Sequence, residues 1–196
     1  TRLRGSGNNV NPQFLSPRRF AEFLAAVEPL LPRTDAIMFE FEYLSRQKMS
    51  GQGEFLSRLD DFFSSVPAGL PFALEPRNAN YIDAAYFDFL NRRGLIHVYS
   101  EKQYMPHVYD VFRSHGAPAA ETSVIRLLGG DRGEIEGITG GSWDRIVLGK
   151  ADKPLVAGMA RDLRFQGKKV IVNVNNHYEG SAPLSIRSLR ELEAAD

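Results

Sequence analysis

The segment VIVNVNNHYEGSAP, from Val170 to Pro183, is the part of this sequence that decides the fold class. Its first five residues form a mostly β-branched run of the kind found in buried strands. The run then breaks into Asn175, Asn176 and His177, with Glu179 two residues later. An apolar strand that ends in amide, imidazole and carboxylate groups is typical of α/β proteins, which bind ligands at the carboxyl ends of their strands. We therefore expect an α/β fold with a ligand-binding edge at this segment.

Strand and helix patterns alternate along the rest of the chain. Apolar runs predict strands at residues 35–43, 72–77, 95–99, 123–128 and 170–175. Helical spacing predicts helices at residues 54–64, 84–91, 108–113, 153–165 and 184–193, and another helix after the Ser16-Pro17 start signal. Residues 1–11 are predicted as loop, and a glycine-rich loop follows the fourth strand. About five βα units suit either an open doubly wound sheet or part of a (β/α)8 barrel.

The polar residues of the strands distinguish an open sheet from a barrel. On each strand they share one parity and so one face: Glu40 with Glu42, Glu75 with Arg77, His97 with Tyr99, Arg126 alone, and Asn173 with Asn175 and His177. An open sheet covered by helices on both faces has strands that are apolar throughout. Because a polar barrel mouth explains the parity better, we predict a single TIM-barrel-like domain over residues 1–196, partial in this chain.

Composition narrows the classes of function and location. The 196 residues are 43% hydrophobic and 24% charged, with equal numbers of acidic and basic side chains. The zero net charge does not favour nucleic acid as a partner, although a local basic groove stays open as an alternative. The absence of cysteine excludes a disulfide scaffold and thiolate chemistry, and it fits a reducing compartment. Since no apolar stretch is long enough to span a bilayer, we expect a cytoplasmic protein with no membrane partner. The expected partner is a small polar or anionic ligand.

Six ordered fragments of the chain resemble one protein family. They are NPQFLSPRRF (11–20), MFEFEYLSRQKMSG (38–51), LEPRNANYID (74–83), YMPHVYDVF (104–112), VIRLLGGDRGEIEGITGGSWDRIV (124–147) and VNNHYEGSAPLSIRSL (174–189). Together they cover almost the whole chain, and they resemble the domain-of-unknown-function 72 family, the YecE-like TIM barrels. The resemblance implies a TIM barrel distantly similar to metal-dependent sugar isomerases and abasic-site endonucleases. It implies no particular activity.

The sequence departs from this family pattern in two respects. Family members carry roughly two to three further strands before the point at which this chain begins, so we expect the N-terminal βα units to be missing here. Pro76 lies between Glu75 and Arg77. Because proline has no backbone donor, we expect a bulge or a strand end at that position.

Acidic residues of the first two strands are the first candidate site. Glu40 and Glu75 are expected at comparable depth on neighbouring strands. Converging carboxylates act as general acids and bases or as ligands of hard metal ions. The structural alternative is that both form ion pairs with Arg77 and Arg126, because buried carboxylates usually need such partners.

The segment after the fifth strand is the second candidate site. Asparagine is a poor strand residue, so Asn175 and Asn176 favour ligand binding, with a turn cap as the alternative. His177 is the candidate acid or hydrogen-bond donor. Trp143 lies in a glycine-rich loop, where its ring could stack on a sugar or base. The structural alternative is that it packs on a neighbouring helix.

Basic and amide groups point to an anion site. Arg77, Asn78 and Arg126 are candidates to bind a carboxylate or phosphate, and residues 128–132 follow the strand after which barrels commonly bind phosphate. The structural alternative is that the glycines serve only a tight turn and that Arg126 forms an ion pair with Glu75.

The four histidines do not form a metal-binding motif. We expect His97 and His177 to face the barrel mouth, and His107 and His115 to face solvent. Because neither HxH nor HExxH spacing occurs, we assign no metal ligands and leave the cofactor unknown.

These residues together favour a hydrolase acting on a small anionic or phosphorylated substrate at the carboxyl-end mouth of the barrel. Glu40 or Glu75 is the expected general base, and His177 the acid or donor. Arg77 and Arg126 are the expected anion clamp. The alternative is a nonenzymatic module that binds nucleic acid or a sugar phosphate.

Overall fold

The computed structural model describes residue 11 and residues 13–194 of the chain. The loop predicted for residues 1–11 therefore lies, apart from Asn11, outside the described residues. The chain forms two compact units, Thr1–Ile96 and His97–Asp196. The prediction of one domain over the whole chain stays a prediction.

Two parallel strands and three α-helices make up the first unit. They are α1 (Pro17–Val27), β1 (Ile37–Glu40), α2 (Gln52–Ser64), β2 (Phe72–Glu75) and α3 (Ala84–Arg93). Ser16 caps α1 by accepting the backbone N–H of Arg19, and Gly94 ends α3 in the left-handed conformation at φ 63°. β2 stops at Glu75, immediately before Pro76, so the predicted strand end at the proline is confirmed.

An aromatic cluster forms the core of the first unit. β1 and β2 turn Phe39 and Phe72 toward the helices, where they meet Phe20 of α1 and Phe62 and Phe63 of α2. Ring centroids in this cluster lie 5.2–5.8 Å apart, mostly in tilted or edge-to-face arrangements. Pairs of this kind are worth about 0.5–1.5 kcal/mol beyond their burial. Glu40 and Glu75 alternate with these rings along the strands and so lie on the opposite face.

Three parallel strands and four α-helices make up most of the second unit. They are β3 (Ile96–Lys102), α4 (Val108–His115), β4 (Thr122–Gly129), α5 (Arg132–Thr139), α6 (Lys153–Phe165), β5 (Lys169–Val174) and α7 (Ala182–Ala194). β4 lies between β3 and β5 and pairs in parallel with both. α6 has the bounds that its apolar spacing predicts.

The glycine-rich loop predicted after the fourth strand is wrong in part, because α5 interrupts it. Asp131 caps α5 by accepting the backbone N–H of Glu134 at 2.8 Å, and Gly140 ends the helix at φ 57°. Gly133 and Gly137 lie inside this helix and lower its intrinsic propensity. The Asp-x-x-Glu pattern at its start was the available signal.

The strand register corrects the predicted position of one polar pair. Ser100 of β3 is aligned with Arg126 of β4, and Arg126 is aligned with Asn173 of β5. Aligned residues of parallel strands point to the same face, so His97 and Tyr99 lie on the face opposite Arg126. Both side chains are buried, and the Tyr99 hydroxyl donates a 2.6 Å hydrogen bond to the Gly116 carbonyl at the end of α4. The expectation that His97 faces the polar mouth is therefore wrong.

The described residues thus form an α/β fold with five strands in parallel pairings, as the alternating pattern predicts, and seven α-helices, six of which were predicted. This arrangement is consistent with a partial TIM-barrel-like fold. Within the described part of the chain, every helix is too short or too polar to cross a membrane.

Candidate functional site

Arg77 connects the two acidic residues predicted on the first two strands. The parallel register aligns Glu40 with Glu75, which confirms their comparable depth. Nη2 of Arg77 lies 3.1 Å from Oε1 of Glu40 and 2.7 Å from Oε1 of Glu75. The Glu75 side chain is fully buried, whereas 45% of the Glu40 side chain is exposed. We call these three residues the Arg77 cluster; its solvent-accessible carboxylate is Glu40.

Asn78 holds the loop that follows β1. Its Oδ1 accepts the backbone N–H of Leu44 at 2.8 Å, and its Nδ2 donates to the Leu44 carbonyl at 3.0 Å. Both polar ends of this buried amide thus contact the backbone of one residue, Leu44. The contact gives Asn78 a structural role, and its predicted ligand role stays a prediction.

His177 is oriented by groups from two separate segments of the second unit. It lies in the short 3-10 turn Asn176–Tyr178 that follows β5, and Asn175 caps that turn. Oδ1 of Asn175 lies 2.6 Å from Nδ1 of His177, while Oε1 of Glu136, on α5, lies 3.1 Å from Nε2. We call His177, Asn175 and Glu136 the histidine site.

Hydrogen bonding assigns different tasks to the two ring nitrogens of His177. The Asn175 atom near Nδ1 also accepts the backbone N–H of His177 at 2.9 Å, which identifies it as the amide oxygen. Because an amide oxygen only accepts, Nδ1 carries a hydrogen and donates it. Nε2 is then the nitrogen that faces the carboxylate of Glu136.

Glu136 is held in its charged form. Its hydrogen bond with Arg132, at 2.7 Å, and then its hydrogen bond with His177 keep the pKa of the Glu136 carboxyl below its usual value. The histidine site therefore places a charged carboxylate at Nε2 of His177.

Gly129 lets β4 approach the histidine site closely. Its φ is 84°, and a Cβ atom at this position would overlap the His177 carbonyl oxygen and lie 2.6 Å from the carbonyl carbon. Gly130 has open space around its α-carbon. The first glycine is thus explained by close packing on the segment that carries His177, as well as by turn geometry.

Glu179 anchors the connection between α5 and α6. Its carboxylate is fully buried and accepts hydrogen bonds from the backbone N–H of Lys150 at 2.8 Å and the hydroxyl of Ser185 at 2.7 Å. Nζ of Lys153 lies 3.0 Å from the same carboxylate, and the Glu179 carbonyl accepts the backbone N–H of Val147. Glu179 was visible in the opening segment as a carboxylate, but its role as a structural anchor was not predicted.

Trp143, Asn176 and Arg126 are the remaining predicted site residues of the second unit. The Trp143 ring packs on His177, with centroids 4.9 Å apart and an interplanar angle of 60°. Oδ1 of Asn176 accepts the backbone N–H of Ala182 at 2.8 Å and so stabilises the start of α7. Arg126 is half-buried in the middle of β4. The turn-cap alternative is therefore realised by both asparagines, and their ligand roles stay predictions.

Sequence reasoning missed Glu136 because it lies 41 residues before His177 in a segment predicted as loop. Recognition of the α5 start signal would have placed Glu136 on a helix, one turn after Arg132. The contact with His177 has no counterpart in the local sequence.

Comparison with known proteins agrees with this fold. The family model described as "Protein of unknown function DUF72" matches residues 8–196. The chain belongs to the DUF72 family. The family predicted from the six fragments is therefore confirmed.

Two solved structures show how far the similarity of this DUF72 chain extends. A crystal structure of a DUF72 family protein from Thermotoga maritima is 17% identical, with a TM-score of 0.62, covering 90% of this chain and 65% of that one. A crystal structure of a DUF72 family protein from Enterococcus faecalis is 14% identical, with a TM-score of 0.66. The match covers 91% of this chain and 66% of that chain. At these identities the likeness concerns the fold alone, and the DUF72 chain spans about two thirds of each relative. No curated protein matches it.

Proposed function

We propose that this DUF72 chain is a hydrolase that acts on a small anionic or phosphorylated substrate, with His177 transferring the proton. The observation that carries the proposal is the orientation of His177 between Asn175 and Glu136. A histidine with one nitrogen fixed by an amide oxygen and the other next to a carboxylate is suited to donate a proton to a leaving group. Its side chain is 21% exposed, which leaves Nε2 within reach of a ligand.

The neighbouring residues supply binding groups for such a substrate. Arg126 and Asn173 are register partners on β4 and β5, and their side chains share a face. A guanidinium and an amide on one face are suited to bind a carboxylate or phosphate. Trp143, packed on His177, offers an aromatic ring next to the proton-transfer atom. Asn176 remains a ligand candidate through its amide nitrogen.

The Arg77 cluster supplies the candidates for the general base and for further ligand-binding residues in the first unit. Glu40, with nearly half of its side chain exposed, is the better candidate for a general base. Glu75 is fully buried and paired with Arg77, so its effect on a substrate is through that arginine. Arg77 and Asn78 are kept as ligand-binding candidates.

Turnover by the full 196-residue chain tests the proposal. The substrates are p-nitrophenyl phosphate and bis-p-nitrophenyl phosphate, followed by a panel of sugar phosphates. His177→Gln keeps a polar side chain but removes the exchangeable proton at Nε2, so kcat should fall roughly 10²- to 10⁴-fold. His115→Gln, on α4, is the matched control and should keep the wild-type rate. Equal rates for His177→Gln and wild type would overturn the assignment of His177.

Glu40→Gln, at the candidate general base, distinguishes the hydrolase from a nonenzymatic binding module. A hydrolase should lose turnover while keeping most of its substrate affinity. A protein that binds sugar phosphates or nucleic acid saturably and releases no product from any member of the panel is a binding module, and the proposal then fails. Binding to nucleic acid would weaken steeply as salt is raised. Cytoplasmic location is part of the same proposal and is tested by fractionation of cells.

A further inference from the structure

Three side chains that could each ligate a metal ion converge in the second unit, outside the histidine site. They are Glu101, His107 and Asp152, and their nearest ligand atoms all lie within 4.8 Å of one another. Nδ1 of His107 is 2.9 Å from Oε1 of Glu101 and 3.7 Å from Oδ2 of Asp152. One imidazole and two carboxylates therefore face a common point.

The fold brings these residues together from three separate elements. Glu101 lies near the carboxyl end of β3, where the register with β4 shifts. His107 and Asp152 are the N-cap residues of α4 and α6. Aspartate at an N-cap normally accepts a backbone hydrogen bond from its own helix, but the side chain of Asp152 makes no such bond. Its carboxylate is instead directed to the imidazole of His107.

Neighbouring groups hold the ligand atoms in place. Oε2 of Glu101 accepts the backbone N–H of Val108 at 3.3 Å, which leaves Oε1 facing the imidazole. The ring of Tyr109 stacks on His107 with centroids 5.4 Å apart and planes 13° apart. Exposed fractions of 13% for Glu101, 22% for Asp152 and 55% for His107 leave a path by which an ion can enter.

We propose that Glu101, His107 and Asp152 bind a divalent transition-metal ion such as Zn²⁺ or Mn²⁺. Nitrogen together with carboxylate oxygen favours these ions over Ca²⁺ and Mg²⁺, which prefer oxygen ligands alone. Metal–ligand distances of about 2.0–2.2 Å place adjacent ligand atoms roughly 3.0–3.5 Å apart. The distances from Nδ1 of His107 to Glu101 and Asp152, 2.9 Å and 3.7 Å, are close to this range. The ion takes the place of the proton on Nδ1, and its charge balances the two carboxylates.

A buried hydroxyl in the same unit is a second, independent observation. The hydroxyl of Tyr178 is buried and, among the described side chains, is the one buried polar atom with no hydrogen-bond partner. Burial first, and then the charges of Asp152 and Glu101, raise the pKa of the Tyr178 phenol, so the hydroxyl lies within electrostatic reach of two of the proposed ligands. A buried polar group without a partner requires water or an ion nearby, and a water molecule bound to a metal would meet that need.

Direct metal binding to the tag-free full chain is the test, so its result does not depend on turnover or on the proposed hydrolase activity. Zn²⁺ binding is measured by calorimetry after treatment with a chelator, and Co²⁺ binding by the visible absorption that appears when the ion loses water ligands. Wild type should bind one equivalent of each. His107→Gln should weaken binding at least tenfold, and because His107 is more than half exposed, this variant is expected to fold.

Two control variants make the outcome decisive. Asp110→Asn removes an exposed carboxylate from the first turn of α4 and should leave metal affinity unchanged. His177→Gln should also leave it unchanged, because the histidine site shares no residue with the proposed metal site. The proposal is overturned if wild type binds neither ion, if His107→Gln binds as tightly as wild type, or if His177→Gln alone abolishes binding.

Discussion

Removal of the buried charge at Glu179 is the sharpest stability test of this fold. In Glu179→Gln the side chain keeps its size but loses its charge, and the NH₂ group of glutamine faces donors where an acceptor is needed. Three contacts are affected: the 3.0 Å pair with Lys153, the 2.8 Å bond from the Lys150 backbone N–H and the 2.7 Å bond from Ser185. The anchor between α5 and α6 should weaken as a result.

The size of the effect follows from burial. Glu179 is fully buried and Lys153 is only 15% exposed, so neither charge is well solvated without the other. Leaving one buried hydrogen-bonding group unsatisfied costs about 1–3 kcal/mol, and breaking a buried ion pair by removing one partner costs about 3–5 kcal/mol. Because Lys153 retains some access to water, we expect about 2 kcal/mol for Glu179→Gln and about 3 kcal/mol for Glu179→Ala.

Equilibrium unfolding in urea, followed by circular dichroism, measures these losses. With a slope of about 2 kcal/mol per molar urea, Glu179→Gln should lower the midpoint by roughly 1 M. Glu191→Gln, an exposed glutamate on α7, is the matched control and should change stability by no more than about 0.5 kcal/mol. If the two variants unfold at the same midpoint, the anchoring role of Glu179 is refuted.

Three further predictions concern single positions. Gly129→Ala should cost more than about 2 kcal/mol, because a Cβ there overlaps the main chain after β5 at a positive φ, whereas Gly130→Ala should be nearly neutral; urea midpoints of the two variants check this. His97 is buried, and burial first and then a neighbouring histidine lower its pKa to about 3. As the pH falls through 6.5, His97 therefore becomes protonated in the unfolded state but stays neutral in the folded state. The free energy of unfolding should be unaffected by this group above pH 6.5 and should decrease by about 1.4 kcal/mol per pH unit between pH 6.5 and pH 3. Urea midpoints measured from pH 7.5 to pH 5 should show a shallower slope for His97→Gln, and an unchanged slope would contradict the assignment. Asn78→Ala should cost about 3 kcal/mol by removing both hydrogen bonds to the loop after β1, and equal midpoints for it and the exposed Asn80→Ala would contradict this.

Much of the fold could be predicted because its signals are local. Apolar spacing and end signals depend on residues a few positions apart, and α6 has the predicted bounds for that reason. Phenylalanines that recur at strand or helix spacing, including Phe39, Phe62 and Phe89, are buried. α5 was missed where two glycines obscured a helix that a capping signal nevertheless starts.

The candidate sites were predicted less completely because their contacts are not local. Parity places polar residues on a common face only when the strand register is known, and the register puts His97 on the face opposite Arg126. The contact of Glu136 with His177 spans 41 residues. The group formed by Glu101, His107 and Asp152 has no spacing that a metal motif would recognise.

By itself, the sequence determined the order of the strands, six of the seven α-helices of the described residues, and the family, because these follow from periodicity and from fragments read in order. The segment from Val170 to Pro183 was correctly predicted to carry its strand into a polar turn. Only the tertiary structure decided which partners that turn meets: Glu136 at the His177 ring, Gly129 beneath its main chain, and Lys153 at Glu179. Those partners come from distant parts of the chain, and only strand register and helix packing bring them within hydrogen-bond distance.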